Sequence, residues 1–208
     1  MIAELTILVT SSPWTLSRQH LQRAYSASLS DEDVLHLVSL SSYFGHLNRI
    51  ADVVGVPLDY DVKLAVPPID LAAQVWSSAP KLVTGRPAID PARRPTTQTA
   101  LSDWKTYVFH RDTPLTRRSR TLLARWVAMW LGDGSISPPT DMTVNPHDDV
   151  LRTFAETVTL APWTVDDAAL APLRAAGFDD AAIFDAAATV TSAGVFSRIE
   201  VALAALGT

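Results

Sequence analysis

Four side chains within two helical turns, His46, Asn48, Arg49 and Asp52, bring together an imidazole, an amide, a guanidinium and a carboxylate. Positions three and four apart share a helix face, so some of these groups can point into one pocket and supply a base, an acid and an anion clamp. The plainer reading is a half-buried polar patch, in which Arg49 pairs with a carboxylate and Asn48 or His46 ties two helices together. No motif of fixed catalytic spacing supports the catalytic reading, and the patch is preferred. His110 with Asp112, and His147 with Asp148 and Asp149, hold atoms that ligate metals but sit on separate loops. The five histidines, at 20, 36, 46, 110 and 147, form no close pair such as HxxxH, so neither a metal nor a cofactor is expected. Arg117, Arg118 and Arg120 make the one dense basic run; a solvated helix face or a subunit contact is expected of it before an anion site.

The chain of 208 residues contains no cysteine, which removes disulfides, thiolate ligands and thiol redox chemistry together. With 48% hydrophobic and 19% charged residues it can bury a substantial core. A formal charge of −5 gives no electrostatic footprint for a phosphate backbone, so nucleic acid is not an expected partner. The apolar start, Met1 to Thr10, lacks a basic leader and is far shorter than the roughly 18 residues of a membrane span. No membrane association and a cytoplasmic location are expected.

The elements that must position these groups read as helices, and the expected class is all-α. Ser30 with Asp33 forms a start box, a short oxygen for the orphan amides and an acid three residues on. Apolar residues Val34, Leu37, Val38, Phe44, Leu47, Ala51 and Val54 then recur at three and four, and Gly55 and Pro57 supply a stop, predicting a helix over about 31–54. Pro13-Trp14-Thr15 leads into a shorter amphipathic segment with Leu16, His20, Leu21 and Ala24 on one side. Seven prolines between 57 and 95 deny continuous helix, with a short helix expected at Leu71–Trp76. A helical pattern resumes from Thr97 through Leu101, Trp104, Tyr107 and Val108, and Thr116 caps a further helix over about 117–131. Gly132, Gly134, Pro138 and Pro139 break it into an ordinary loop.

The N-terminal arrangement returns near the C-terminus, where Pro162-Trp163-Thr164 leads into a short helix and Asp179-Asp180 opens a long one. In one ungapped register Trp14 meets Trp163, Val9 meets Val158, Leu21 meets Leu170, Gly45 meets Gly194, Arg49 meets Arg198 and Ile50 meets Ile199. This reads as an internal repeat. It assigns Ile2–Thr10, a strand by propensity, to helix, because it aligns with Leu151–Thr159. Both tryptophans are expected in the core, stapling the chain at helix starts. An arginine shared by both copies points to a structural role.

Leu115-Thr116-Arg117-Arg118, Phe154-Ala155-Glu156, Pro162-Trp163-Thr164 and Leu173-Arg174-Ala175-Ala176-Gly177-Phe178, followed by a long closing helix, resemble the alkylhydroperoxidase D and carboxymuconolactone decarboxylase superfamily. Tyr43-Phe44-Gly45-His46-Leu47-Asn48-Arg49-Ile50-Ala51-Asp52 is similar to that family's ending. The resemblance implies an AhpD-like helical bundle: a half copy at 1–56, a proline-rich linker at 57–96 packed on the fold, and a whole domain at 97–208. The family's peroxidases carry a Glu before a Cys-x-x-Cys-x-x-x-His segment, where one thiolate attacks peroxide, the second resolves the sulfenate, and Glu and His move protons. Aligned on Leu115 and Gly132, those positions fall on Thr121, Asp133, Ile136 and Thr140, and none of the required groups remains. The resemblance therefore implies a degenerate member that binds a small molecule or serves a homo-oligomeric assembly. The alternative is an acid and base enzyme of the decarboxylase branch, with His46, Arg49 and Asp52 as first suspects.

Overall fold

A computed structural model describes residues 1–56, 80–137 and 146–208. The expected short helix at Leu71–Trp76, most of the proline-rich connection and Thr140 lie outside them. Among the described residues the fold is all-α: α1 Ile2–Ser11, α2 Arg18–Ser26, α3 Asp31–Val54, α4 Pro95–Phe109, α5 Arg117–Trp130, α6 Pro146–Leu160, α7 Asp167–Ala175 and α8 Asp180–Ala205. Tight turns at Pro13–Thr15, Pro91–Arg93 and Pro162–Thr164 join them, and none of these helices is long and apolar enough to cross a membrane.

The helix ends follow local chemistry. Ser30 Oγ accepts from Asp33 N at 3.2 Å while Asp33 Oδ2 accepts from Ser30 N at 2.9 Å, a closed capping box that starts α3. Gly55, at φ 65°, ends α3 in the left-handed conformation that a side chain disfavours. Thr116, Asp166 and Asp179 each accept a hydrogen bond from a first-turn amide of α5, α7 and α8. Displaced by the Trp14 to Trp163 spacing, Pro13–Thr15 falls on Pro162–Thr164 and Arg18–Ser26 falls on Asp167–Ala175.

Helix α8 is buried nearly all round and forms the centre. Its alanines let α3, α5 and α6 approach closely, and α3 is its principal partner. Its buried threonine hydroxyls fold back on their own helix, Thr189 to the Asp185 carbonyl at 2.7 Å and Thr191 to the Ala187 carbonyl at 2.8 Å, so these two cross the core satisfied. Leu5, Val9, Val34, Leu35 and Val38 pack with Val195, Ile199 and Leu203 on one flank of α8, while Leu123, Trp126, Val127, Phe154 and Val158 pack with Ile183, Ala187 and Val190 on another. Ile89, 1% exposed, brings the segment before α4 into the first cluster.

Two expectations are corrected here. Trp14 is buried, but Trp163 is 44% exposed. The Pro13–Thr15 turn lies against the central helix α8, whereas Pro162–Thr164 lies against α3, whose outer face, with Leu40, Tyr43, Phe44 and Leu47, is open to solvent. Arg120 belongs to no solvated basic face: it is completely buried. Its guanidinium pairs with Asp185 of α8 and donates to the carbonyls of Val108, Thr113 and Leu115 and to Thr189 Oγ1. A fully buried charge is tolerated only when paired and hydrogen-bonded, and this one is. Its neighbours follow the expected exposed pattern, Arg118 holding Asp148 with two 2.8 Å bonds and Arg117 reaching Asp112 at 3.7 Å.

Candidate functional site

The four polar groups on α3 do not meet in one pocket. Asn48 and Asp52 are exposed, and His46 and Arg49 are half-buried on different neighbours. The His46 ring lies 5.0 Å from the Trp104 ring, edge to face, and stacks on Tyr43 at 6.2 Å. Burial lowers the pKa of His46, and a hydrogen bond with the Thr191 backbone partly opposes this. Arg49 pairs with no carboxylate, contrary to the expected patch; Nη1 donates to the Gly45 carbonyl at 3.0 Å. Arg198 repeats the arrangement, donating to the Gly194 carbonyl at 3.1 Å and, through Nε, to the Thr10 carbonyl at 3.0 Å near the end of α1. A glycine four residues earlier leaves room for each guanidinium, since a Cβ at Gly45 or Gly194 would crowd Nη1. Burial lowers the Arg49 pKa to about 10, with Asp52 opposing. Burial, and then the charge of Arg49, hold Arg198 well below the usual arginine range, and burial raises Asp52 while Arg49 opposes. Arg198 thus crosslinks α8 to the end of α1, a structural task.

A different set of residues converges. Ser102, Lys105, Thr106 and Phe109 lie on one face of α4, Thr121, Ala124 and Arg125 on one face of α5, and Ala193, Phe196 and Glu200 on one face of α8. Each set has the three and four spacing of a helix stripe. Together with His110, Asp133, Ser135 and Ile136 they line a cavity of about 370 Å³ that opens to solvent, within the range of roughly 300–1,000 Å³ usual for small-molecule sites. Three of the four positions aligned above with redox residues, Thr121, Asp133 and Ile136, line this one cavity. A second cavity of about 260 Å³ lies beside it, with Ser102, Lys105, Phe196 and Glu200 common to both.

Two local devices position the walls. Residues 132–134 are no free loop: Val83 N donates to the Gly132 carbonyl at 2.8 Å, and Gly134 N donates back to the Val83 carbonyl at 2.9 Å. This close pairing needs two glycines, because a Cβ at Gly132 would strike the Lys81 carbonyl and one at Gly134 the Val83 carbonyl. Asp133, 3% exposed, is held between them, and its Oδ1 accepts from Ser135 Oγ at 2.6 Å and Ser135 N at 3.0 Å. The second device is the α4–α5 junction. Asp185 accepts from Arg111 at 2.9 Å and from Leu115 N at 3.1 Å in addition to Arg120, which ties the junction carrying His110 to α8.

The charges fall into two groups. Partial burial and then the charge of Asp133 raise the pKa of Glu200, with Lys105 opposing, so Asp133, Glu200 and Lys105 act on one another. Lys105 Nζ stands 5.9 Å from the centre of the Phe196 ring. Arg125 is half-buried and, among the described residues, makes no hydrogen bond or ion pair. Phe109, Ala124, Ala193 and Phe196 supply the apolar part of the same lining. The lining combines apolar surface with both signs of charge, as small-molecule sites do.

Lys105, Arg125, Phe196 and Glu200 were not legible as site residues in the sequence, because each sits in a helix stripe that reads as ordinary amphipathic surface. The alignment of Thr121, Asp133 and Ile136 was the one signal that marked this place. Among the described residues no group of three His, Asp or Glu side chains is arranged to hold a metal ion. Comparison with protein-family models, curated proteins and solved structures yields no match to this chain.

Proposed function

We propose that the chain is a cysteine-free relative of the alkylhydroperoxidase D and carboxymuconolactone decarboxylase superfamily, built with an internal repeat, that binds a small molecule in the cavity between α4, α5 and α8. One observation carries this reading: Thr121, Asp133 and Ile136, aligned with the redox residues of the family's peroxidases, border a single cavity of ligand size. With no cysteine in the chain, the protein reduces no peroxide by its own thiols. The exposed apolar stripe Leu40, Tyr43, Phe44 and Leu47 on α3 supports a homo-oligomer, since contiguous exposed apolar patches mark contact surfaces.

The test is a fragment screen on the full chain by heteronuclear NMR, with Ala124→Phe as the filled cavity. Binders that shift amides in 102–109, 121–125 and 193–200, and lose affinity at least about tenfold in the filled variant, are the expected result. Binders unaffected by Ala124→Phe would overturn the reading.

A second reading, an acid and base enzyme using no thiol, draws on Glu200, whose carboxyl is raised by burial and by Asp133. Raised carboxyls are suited to proton transfer near neutral pH. The suspects then become Glu200 and Asp133 in place of His46, Arg49 and Asp52.

A further inference from the structure

Arginines that are buried or half-buried in this fold have their guanidinium groups engaged. Arg120 and Arg111 hold Asp185, Arg49 and Arg198 hold carbonyl oxygens, Arg152 pairs with Asp149, and Arg94 faces Glu32 at 3.9 Å. Arg125 departs from the pattern. It is half-buried, lines the cavity between α4, α5 and α8, and has no partner of its own among the described residues. A half-buried guanidinium on a cleft wall, with none of its five donors taken by the protein, is open to an anion, preferably one with a planar pair of acceptor oxygens.

The rest of the cavity limits which anion. Phe109, Ala124, Ala193 and Phe196 present apolar surface next to Arg125, which a bare inorganic ion would leave uncovered. Asp133 and Glu200 line the same cleft with Lys105 beside them, and two carboxylates against one ammonium disfavour a second negative charge on the occupant. They accept hydrogen bonds, so a hydroxyl fits there. The volume of about 370 Å³ lies toward the small end of small-molecule sites, which favours a compact organic occupant.

Resting on the reading of this cavity as a small-molecule site, we propose that its ligand is an amphipathic organic monoanion, a carboxylate gripped by Arg125 with an aromatic or branched apolar body between Phe109 and Phe196. A hydrogen-bond donor at the far end of the body faces Asp133 and Glu200. Arg125 is the specificity-determining residue and Glu200 selects the far end.

The experiment titrates the full chain, by NMR or calorimetry, with probes that share one body: phenylpropanoate, hydroxyphenylpropanoate with its hydroxyl para to the chain, phenylpropanol, and a benzene dicarboxylate. Phenylpropanoate is expected to bind at least about tenfold more tightly than phenylpropanol, as a charge-assisted pair warrants, and the dicarboxylate more weakly than the monoacid. Arg125→Met should erase the preference for acid over alcohol while leaving the alcohol's affinity within about threefold, and Arg125→Lys should keep part of it. Glu200→Gln should narrow the advantage of the hydroxylated acid. Alcohol binding as tight as acid binding, or a preference untouched by Arg125→Met in a chain that melts like the parent, overturns the anion assignment and leaves the cavity as a site for neutral molecules. Failure of every probe to bind the parent overturns this assignment. Loss of the site itself is read separately, from fragment binding insensitive to Ala124→Phe.

Discussion

Asp185 is the residue whose loss the structure says is felt most. Its carboxylate, 6% exposed in the side chain, is the one acidic partner of Arg120, whose side chain is 0% exposed. It also accepts from the Leu115 amide at 3.1 Å and from Arg111 at 2.9 Å. Asp185→Ala removes all three interactions. The Arg111 side chain is 37% exposed, so solvent screens its share to under about 1 kcal/mol. The Arg120 pair dominates, because a buried guanidinium would be left with carbonyl oxygens and one hydroxyl, and breaking such a pair costs about 3–5 kcal/mol. At a urea slope of about 2–3 kcal/mol per molar, the upper part of the usual range because the slope grows with chain size, the unfolding midpoint should fall by about 1–2.5 M, with Asp185→Asn intermediate. The double replacement Arg120→Met with Asp185→Leu removes both charges and should recover most of the loss, since a well-packed apolar pair is often neutral or better than a buried ion pair. Equilibrium urea unfolding followed by circular dichroism reads all four chains. A midpoint for Asp185→Ala within about 0.3 M of the parent, or a double replacement no better than Asp185→Ala, would refute the assignment of Arg120–Asp185 as a buried, mutually dependent pair.

Two further predictions concern the cavity wall and the α3 histidine. Gly134→Ala puts a methyl on the Val83 carbonyl and the Thr84 side chain, so it should destabilise by about 1–3 kcal/mol as an overpacked contact and shift the amide resonances of 81–84 and 132–135 together. A midpoint unchanged in urea would show that the two segments do not pair closely. His46 has a folded pKa below its ordinary value through burial, so its contribution is fully present above its unfolded pKa of about 6.5 and is lost as pH falls through the lower folded value. Stability should therefore decline between neutral pH and pH about 5, and His46→Gln should flatten that part of the profile. A parallel decline in the variant would remove His46 as the cause.

The local signals in the sequence were sufficient where one helix decides its own fate. Ser30 with Asp33 at one end and Gly55 at the other set α3 at Asp31–Val54, and the Asp179 cap starts α8 at Asp180, because capping hydrogen bonds reach only three or four residues. The stripe of Leu122, Leu123, Trp126 and Val127 likewise placed α5. Burial of single side chains was another matter. Arg117, Arg118 and Arg120 look alike in sequence, yet the partner that draws Arg120 inside, Asp185, is 65 residues away. Trp14 and Trp163 share their tripeptide but differ in exposure because one turn rests on the central helix and the other on a peripheral one.

The candidate site divides along the same line. Resemblance to a family pattern marked Thr121, Asp133 and Ile136 as positions of interest, and the absence of cysteine removed thiol chemistry from the chain. The sequence placed its polar suspects on α3, where they face separate neighbours. Residues 102–109, 121–125, 133–136 and 193–200 become one cavity only when α4 and α5 are laid across α8 and the Val83 backbone pins Asp133. Periodicity reports which face of a helix is apolar, not which faces of distant helices will leave a space between them. A cavity is set by packing among segments far apart in the chain, so tertiary structure alone decided that Lys105, Arg125 and Glu200 would line one space.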